Sequence, residues 1–414
     1  MPSVPNALRG LRGVLGGGSA AEKLADIGKT EAMSAEERHS LRERRLSALL
    51  DECFEYVEAY RPYRSLRGKA KSRPFDVLNE LPVLTDDVYR KSPDMYFNPA
   101  KLSQVAGGVS RTAAGHNYPV CKDARSADTA ARTWAYSQLG LTYMSKHLSI
   151  RGALPAKGAV SEAARAFKLA VSLNERGLFG SYINADMLKK YAERLSNPGL
   201  NYCAGTPSVI NALAELFERN GIPVAPSYKG IVTVGETLLQ TERETVRRVL
   251  GAPVYGSYST PDDGLIACEC EHQTLHVIES CFIVEEIDGR IAVTSLNNSA
   301  APRMRYVTRE TGMVMDSDCD CGRGGKRLLL SERGKTPLYT APDGRVIPGG
   351  VFDIEAGRYY NIARYKLTQP DPEHAELYVE LRTAAAVDEA AGLHRLVREL
   401  MPGTLVDLRS AVAR

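Results

Sequence analysis

Between Ser34 and Tyr60 the apolar residues Leu46, Leu49, Leu50, Cys53, Phe54, Val57 and Tyr60 recur at the spacing of one helix face, and charged residues fill the rest. Ser34 and Glu37 make a capping-box pair at the start of this stretch. The pattern predicts a long packing helix with a solvated charged face. Leu81-Pro82-Val83-Leu84-Thr85 reads as a short extended entry to another helix. Ser110 to Pro119 is a small-residue loop, Val120 can begin a strand, and Asp128 to Leu141 has helical spacing. Val160 to Leu173 is a helix or a strand–helix pair. Ser208 to Asn220 is amphipathic and stops at Gly221, after which Ile222-Pro223-Val224 returns as a strand.

From Gly230 the rhythm is strand, helix, strand. Gly230 to Val234 is extended, Leu238 to Leu250 is helical, and Pro253-Val254-Tyr255 is extended again. That alternation predicts an α/β layered sheet. After Gly264 the pattern turns β-rich, with strands at Leu265 to Cys268, His276 to Glu285 and Arg290 to Ser295, then a turn at Arg305-Tyr306. The last part reads as a small α+β module. Its strands are Ile362 to Leu367 and Ala375 to Leu381, and its helix is Val387 to Glu399.

A chain of 414 residues predicts two or three domains. Its 43% hydrophobic and 25% charged content is that of a soluble globular protein. A net charge of +3 makes no case for nucleic acid or a membrane surface, and no apolar run is long enough for a membrane span. Leu8 to Leu15 lacks the continuous apolar core of a signal peptide, and Gly16-Gly17-Gly18-Ser19 reads as a short flexible joint. The eight cysteines cluster instead of forming a spaced disulfide framework, which suits a metal or a reduced compartment. A cytoplasmic location is expected.

Thiolates at Cys270, Cys319 and Cys321 with the imidazole of His276 make a Cys3His set, the ligand mix of a structural zinc site. All four positions would be protein ligands, which leaves none open for catalysis. The competing reading is a group of buried free thiols. Cys268 is a spare thiol nearby and reads as a packed strand residue.

The order of motifs resembles the phenylacetate–coenzyme A ligase-like adenylate-forming enzymes from about residue 40 to 410. Leu81-Pro82 resembles the family's leucine–proline entry. Thr112-Ala113-Ala114-Gly115-His116-Asn117-Tyr118-Pro119 stands where the family has its T-S-G-S-T-G-x-P phosphate loop. Val234-Gly235-Glu236 resembles its adenine-side segment, and Tyr258 to Gly264 stands where it writes Y-G-S-T-E-x-G. Tyr255-Gly256-Ser257 also fits the first three letters, but the later register brings Gly264 and the run to Cys270 into place. Thr294-Ser295-Leu296 through Pro302, Arg305-Tyr306 and Glu310 resembles T-x-L-x-N…P-x-x-R-Y-x-x-G-D. The zinc set is similar to ligands that some members carry.

The resemblance implies an α/β fold. A large N-terminal layered domain of the adenylate-forming type (1–332) would precede a small α+β lid-like domain (333–414). It implies activation of a carboxylic acid with ATP and magnesium as an acyl-adenylate. The acyl group would then pass to a thiol or amine, on coenzyme A, a carrier protein or an amine. It leaves room for a homodimer.

Carried over residue by residue, the resemblance implies catalytic roles for Asp262, His116 and Arg305, and nucleotide contacts at Thr112, Gly235, Glu236, Tyr258 and Glu310. By position Trp134, Tyr136, Tyr202, Tyr255 and Tyr258 are candidates for an acyl pocket, where rings suit an aromatic acid. The chain departs from the pattern at His116 and Asn117, which replace a hydroxyl residue and a glycine, and at Asp262 and Glu310, each an acid of altered length. No tail lysine matches the family's. A member working without ATP, or a non-enzymatic scaffold on the same fold, are the alternatives.

Overall fold

The computed structural model describes residues 19–105, 110–111, 117–151, 170, 174–179, 183–260, 262–316, 318–331, 337–349, 351–352, 356, 359 and 361–413. The expectations placed on Leu8 to Ser19 (Ser19 apart), on Thr112 and His116, and on most of 160–173 lie outside them. The chain forms two compact units, one of residues up to 111, 116–143 and 255–331, the other of 112–115, 144–254 and 332 onward. Among the described residues no helix is long and apolar enough to cross a membrane.

In the first unit the Ser34 capping box forms. The Glu37 amide donates to Ser34 Oγ (3.2 Å), and the Ser34 amide donates to Glu37 Oε2 (2.8 Å). The helix it starts, Ala35–Tyr56, buries Leu46, Leu49, Leu50, Cys53 and Phe54. It stops short of the expected Tyr60. Val57 is extended (φ −99°, ψ 119°), and Glu58–Leu66 tightens into a 3-10 helix that contains Pro62, which has no amide hydrogen to continue an α-helix. Val120 does not begin a strand. Cys121 caps a helix, Lys122–Gln138, that starts well before Asp128, with Cys121 Sγ accepting from the Ala124 amide (3.4 Å).

The unit's sheet has seven strands in the order Phe282–Ile287, Arg290–Ser295, Tyr306–Met315, Arg327–Leu330, Leu275–Val277, Gly264–Glu269, Ser257–Thr260. All neighbours pair antiparallel. The single strand expected over His276 to Glu285 is two strands, because a turn closed by the Cys281 amide on Ile278 O (2.9 Å) separates them. Arg305 is a turn residue with φ +52°, whereas Tyr306 opens a ten-residue strand. Its charged Arg309-Glu310 segment hid that strand from a hydrophobicity pattern.

In the second unit His147–Arg151, Glu175–Phe179, Tyr202–Gly205 and Ile231–Thr233 pair in parallel. Leu148, Ile150, Cys203 and Ile231 sit in its core. Helix Pro207–Arg219 is buried along most of its length and ends before Gly221, which takes φ +61°. Ile222-Pro223-Val224 is not a strand; Pro223 and Pro226 cannot donate to a ladder. The C-terminal strands Ile362–Asp371 and His374–Leu381 pair antiparallel. After helix Val387–Leu400 an unforeseen strand, Leu405–Val412, returns parallel to His374–Leu381. Leu377, Val379, Leu393 and Val397 close a core made wholly of residues 339–401.

Candidate functional site

Cys270, His276, Cys319 and Cys321 converge, with their ligand atoms all within 4.8 Å of one another. Cys270 follows strand Gly264–Glu269 and His276 lies in the next strand, so the hairpin supplies two ligands. Cys319 and Cys321 come from the segment that leads into strand Arg327–Leu330. Cys270 Sγ is 3.8 Å from Cys319 Sγ, and Cys321 Sγ is 3.3 Å from His276 Nε2. Zn–S bonds of about 2.3 Å put two tetrahedral sulfur ligands about 3.8 Å apart, so the spacing fits such an ion. The amides of His272 and Arg323 point at Cys270 Sγ (3.3 Å) and Cys321 Sγ (3.5 Å), as suits sulfurs carrying negative charge.

Burial, and then the charges of Arg323 and Arg327, depress the His276 imidazole to about 4, which keeps it neutral and able to ligate. Burial opposes ionisation of Cys319, but hydrogen bonds from the Cys321 amide and the neighbouring thiols hold it down to about 7. The loop is braced from behind. A Cβ on Gly324 would lie 2.6 Å from Arg38 Nη2, and one on Gly325 would lie 2.6 Å from Glu279 Oε2. Glu279 in turn pairs with Arg38 (3.2 Å) and Arg42 (2.5 Å).

A second cluster centres on Arg303, a residue the motif reading passed over. Its side chain is 2% exposed. Nη1 donates to Asp262 Oδ2 (3.0 Å) and Nη2 to Asp263 Oδ2 (2.8 Å). The guanidinium lies over the rings of Tyr306 (4.1 Å) and Tyr118 (4.3 Å). Burial pushes the Asp262 carboxyl above its ordinary value while Arg303 pulls it back. Asp262 Oδ1 is buried with no hydrogen-bond partner among the described residues. Asp263 also accepts from Thr260 Oγ1 (2.9 Å). The adjacent Asp262-Asp263 pair and the Arg303-Met304-Arg305 run were the available signals, but sequence alone does not tell which arginine turns inward.

Arg305 donates from Nη1 to the carbonyls of Asn79 and Leu81 (3.0 Å each) and sits 3.3 Å from Glu285. It ties the leucine–proline entry to the sheet. Tyr258 donates to Thr308 Oγ1 (2.9 Å) and lies 3.3 Å from Glu310 Oε2. Burial, then the Glu310 charge, pushes the Tyr258 phenol up, so it stays a donor at neutral pH. Gly235 (φ +87°) and Glu236 belong to the second unit. There Glu236 accepts from the Ser208 amide (3.3 Å) and hydroxyl (3.0 Å), which places a carboxylate at the N-terminus of helix Pro207–Arg219.

Of the candidate pocket aromatics, Trp134 carries the Arg323 guanidinium 5.4 Å above its ring. Tyr136 is buried edge-on to Tyr143. Tyr202 stacks on His147 (4.5 Å) in the second unit, and Tyr255 is half-buried.

Beside Asp262 lies a cavity of about 330 Å³, lined by Val120, by Ala124, Arg125, Asp128 and Thr129 of helix Lys122–Gln138, and by Asp262, Asp263 and Gly264. Asp128 Oδ1 accepts from the Leu265 amide (2.8 Å), and Arg132 Nε lies 3.0 and 3.1 Å from the two carboxylate oxygens. Gly264 takes φ +81°, and a Cβ there would lie 2.4 Å from Asp128 Oδ1. Gly264→Ala is therefore expected to destabilise the protein by roughly 1–3 kcal/mol. A thermal unfolding midpoint equal to the parent's would show that Asp128 can turn away at no cost.

No family model matches the chain. A phenylacetate–coenzyme A ligase of Thermus thermophilus is 30% identical over 141 residues, which is 30% of this chain and 32% of the relative, so the match spans about a third of that protein. A crystal structure of 2-hydroxyisobutyryl-CoA ligase with 2-HIB-AMP and CoA covers 94% of this chain and 90% of its own, with TM-score 0.60 at 18% identity. The same ligase in its postadenylation state with 2-HIB-AMP covers 94% and 88%, with TM-score 0.59 at 16% identity. The chain has the fold of the adenylate-forming enzymes. Over the matched segment its sequence is phenylacetate–coenzyme A ligase-like.

Proposed function

We propose that the protein is an ATP-dependent carboxylate ligase. The observation that carries this reading is Asp262, a buried acid at the wall of a cavity with one oxygen unpartnered among the described residues, in a chain of adenylate-forming fold. A carboxylate oxygen of the acid attacks the α-phosphorus of ATP, a P–O bond forms, and pyrophosphate leaves. A thiol or amine then attacks the acyl carbonyl, AMP leaves, and the acceptor's proton is lost. Asp262 Oδ1 would hold the magnesium ion, which supplies charge neutralisation on the phosphates. Arg303 holds that carboxylate in place. Tyr258 and Glu310 take the ribose side, Gly235 and Glu236 the adenine side, and Thr112 and His116 the triphosphate. Arg305 acts by holding the Leu81 segment.

Cys270, His276, Cys319 and Cys321 would hold a zinc ion that cross-links the hairpin to the following loop. The acceptor is a thiol or amine, of coenzyme A, a carrier protein or a free amine. The aromatic-acid reading rests on Trp134, Tyr136 and Tyr255. Residues 333–414 act as the lid, a role supported by their own closed core. The eight unpaired cysteines favour the cytoplasm.

The test is acid-dependent ATP–pyrophosphate exchange, with calorimetric titration of ATP and magnesium, then AMP. Asp262→Asn keeps the side chain's shape and its acceptor for Arg303. It is expected to lower exchange by about 10²–10³-fold. Parent-like exchange in that variant removes Asp262 from the reaction. Absence of nucleotide binding by the parent protein rejects the ATP-dependent reading in favour of chemistry on a pre-activated acyl group.

A further inference from the structure

The small C-terminal sheet has an open side. Its strand order is Ile362–Asp371, His374–Leu381, Leu405–Val412, and among the described residues no strand pairs with the outer edge of Leu405–Val412. That strand runs beside His374–Leu381 in an unbroken register over its whole length, whereas the pairing of Ile362–Asp371 is interrupted twice. It holds neither proline nor lysine, residues that commonly blunt an edge. Leu405 and Val412, at its two ends, are 68% and 47% exposed. A long, regular and partly apolar edge of this kind is a template for a further strand.

The backbone fixes which groups this edge offers. The amides of Leu405 and Ala413 donate to Glu373 O and Leu381 O (2.7 Å each), so the odd-numbered residues bond the neighbouring strand. In a parallel ladder the residues between them turn their N–H and C=O groups the other way. Val406, Leu408, Ser410 and Val412 therefore face outward. Helix Val387–Leu400 reaches one end of this row, where His394 Nε2 donates to Val406 O (2.7 Å). Ser410 and Val412 are exposed, and Leu408 is half-buried.

We propose that a second copy of this chain pairs with this edge, strand Leu405–Val412 lying antiparallel to its own copy about a twofold axis at Leu408. Such a pairing sets outward-facing residues opposite outward-facing ones. The registers that overlap most of the strand are then centred on Asp407, Leu408, Arg409 or Ser410. Centring on Asp407 or Arg409 sets that charge against its own copy, which is destabilising. Centring on Ser410 overlaps less of the strand and sets Arg409 against Ala411. Centring on Leu408 sets Asp407 of each copy opposite the partner's Arg409, and the two Leu408 side chains meet on the side that packs on the module's core. The order Asp-Leu-Arg is thus complementary to itself in this register. Val406 O keeps a second lone pair for the partner's Ser410 amide. Arg409 is drawn to Glu376 at 3.6 Å, an ion pair mostly exposed at both ends that yields at small cost.

Sedimentation equilibrium of the full-length protein tests this, independently of the ligase reading. An interface this narrow belongs to the weak, transient class, so a dimer is expected with a Kd of roughly 10–100 µM. Asp407→Arg sets like charges opposite each other at both pairs and should weaken the dimer about tenfold or more. The monomer's unfolding midpoint should not move, because Asp407 is exposed. Adding Arg409→Asp restores both opposite-charge pairs in reversed order, and should return the Kd to within about threefold of the parent's. A parent protein that stays monomeric to several hundred micromolar overturns the proposal. So does a dimer that persists unweakened in Asp407→Arg, which places the contact elsewhere, or a double substitution that fails to restore it.

Discussion

Arg303→Met is expected to destabilise the protein by roughly 3–5 kcal/mol at neutral pH, the cost of removing one partner from a buried ion cluster. The substitution keeps most of the side chain's volume but strands Asp262 and Asp263, whose side chains are 9% and 4% exposed. It also removes the cation from the faces of Tyr118 and Tyr306. The sign of the pH dependence follows from Asp262. Its carboxyl already titrates above its ordinary value because of burial, and without Arg303 that rise must grow. A carboxyl whose folded pKa exceeds its unfolded one favours folding as pH falls through the folded value and opposes folding above it. The deficit of Arg303→Met should therefore shrink as pH is lowered from 7 towards 5. Unfolding midpoints of parent and variant across that range check this. The variant with Asp262→Asn and Asp263→Asn added should recover part of the loss at pH 7. A deficit independent of pH, with no recovery, would show that the tyrosine contacts and not the ion pairs carry the effect.

Removal of a metal held by the Cys3His cluster is expected to be the other large effect. Metal analysis of protein purified without chelator should give about one zinc per chain. A strong chelator, or Cys321→Ser, should cost on the order of several kcal/mol, because the free energy of binding at such a site is folding free energy. The damage should also have a defined geography. Amide exchange should rise in strands Gly264–Glu269 and Leu275–Val277 and in the segment 318–326. It should spread to helix Ala35–Tyr56, because Gly324 and Gly325 pack directly on Arg38 and Glu279. Protein free of metal as isolated, with unfolding unchanged by chelator, would return these cysteines to the free-thiol reading.

The Cys3His cluster was legible from sequence because its chemistry is carried by residue type. Cys270, His276, Cys319 and Cys321 form an unusual set, and the structure brings all four within ligand distance of one another. The Ser34 cap and helix Pro207–Arg219 were legible for a related reason, since helical periodicity and terminal signals are local. Helix Lys122–Gln138 was read too late because Cys121 is not a usual capping residue and the first turn is polar. Strands Tyr306–Met315 and Leu405–Val412 were missed because much of each is exposed, so neither shows a hydrophobic run.

By itself the sequence determined the class of fold, the Cys3His set and the order of the motifs that carry the family resemblance. Each of these depends on residue type, local period or spacing along the chain. Only the tertiary structure decided which arginine of Arg303-Met304-Arg305 turns inward. Arg305, held at φ +52°, reaches back to the Asn79 and Leu81 carbonyls, while Arg303 meets two aspartates forty residues upstream. Only the fold, too, set Arg125, Asp128 and Thr129 of Lys122–Gln138 beside Asp262 and laid Arg323 over Trp134. Burial and pairing across such separations arise from packing, and a side chain's direction within the fold is not written in its neighbours along the chain.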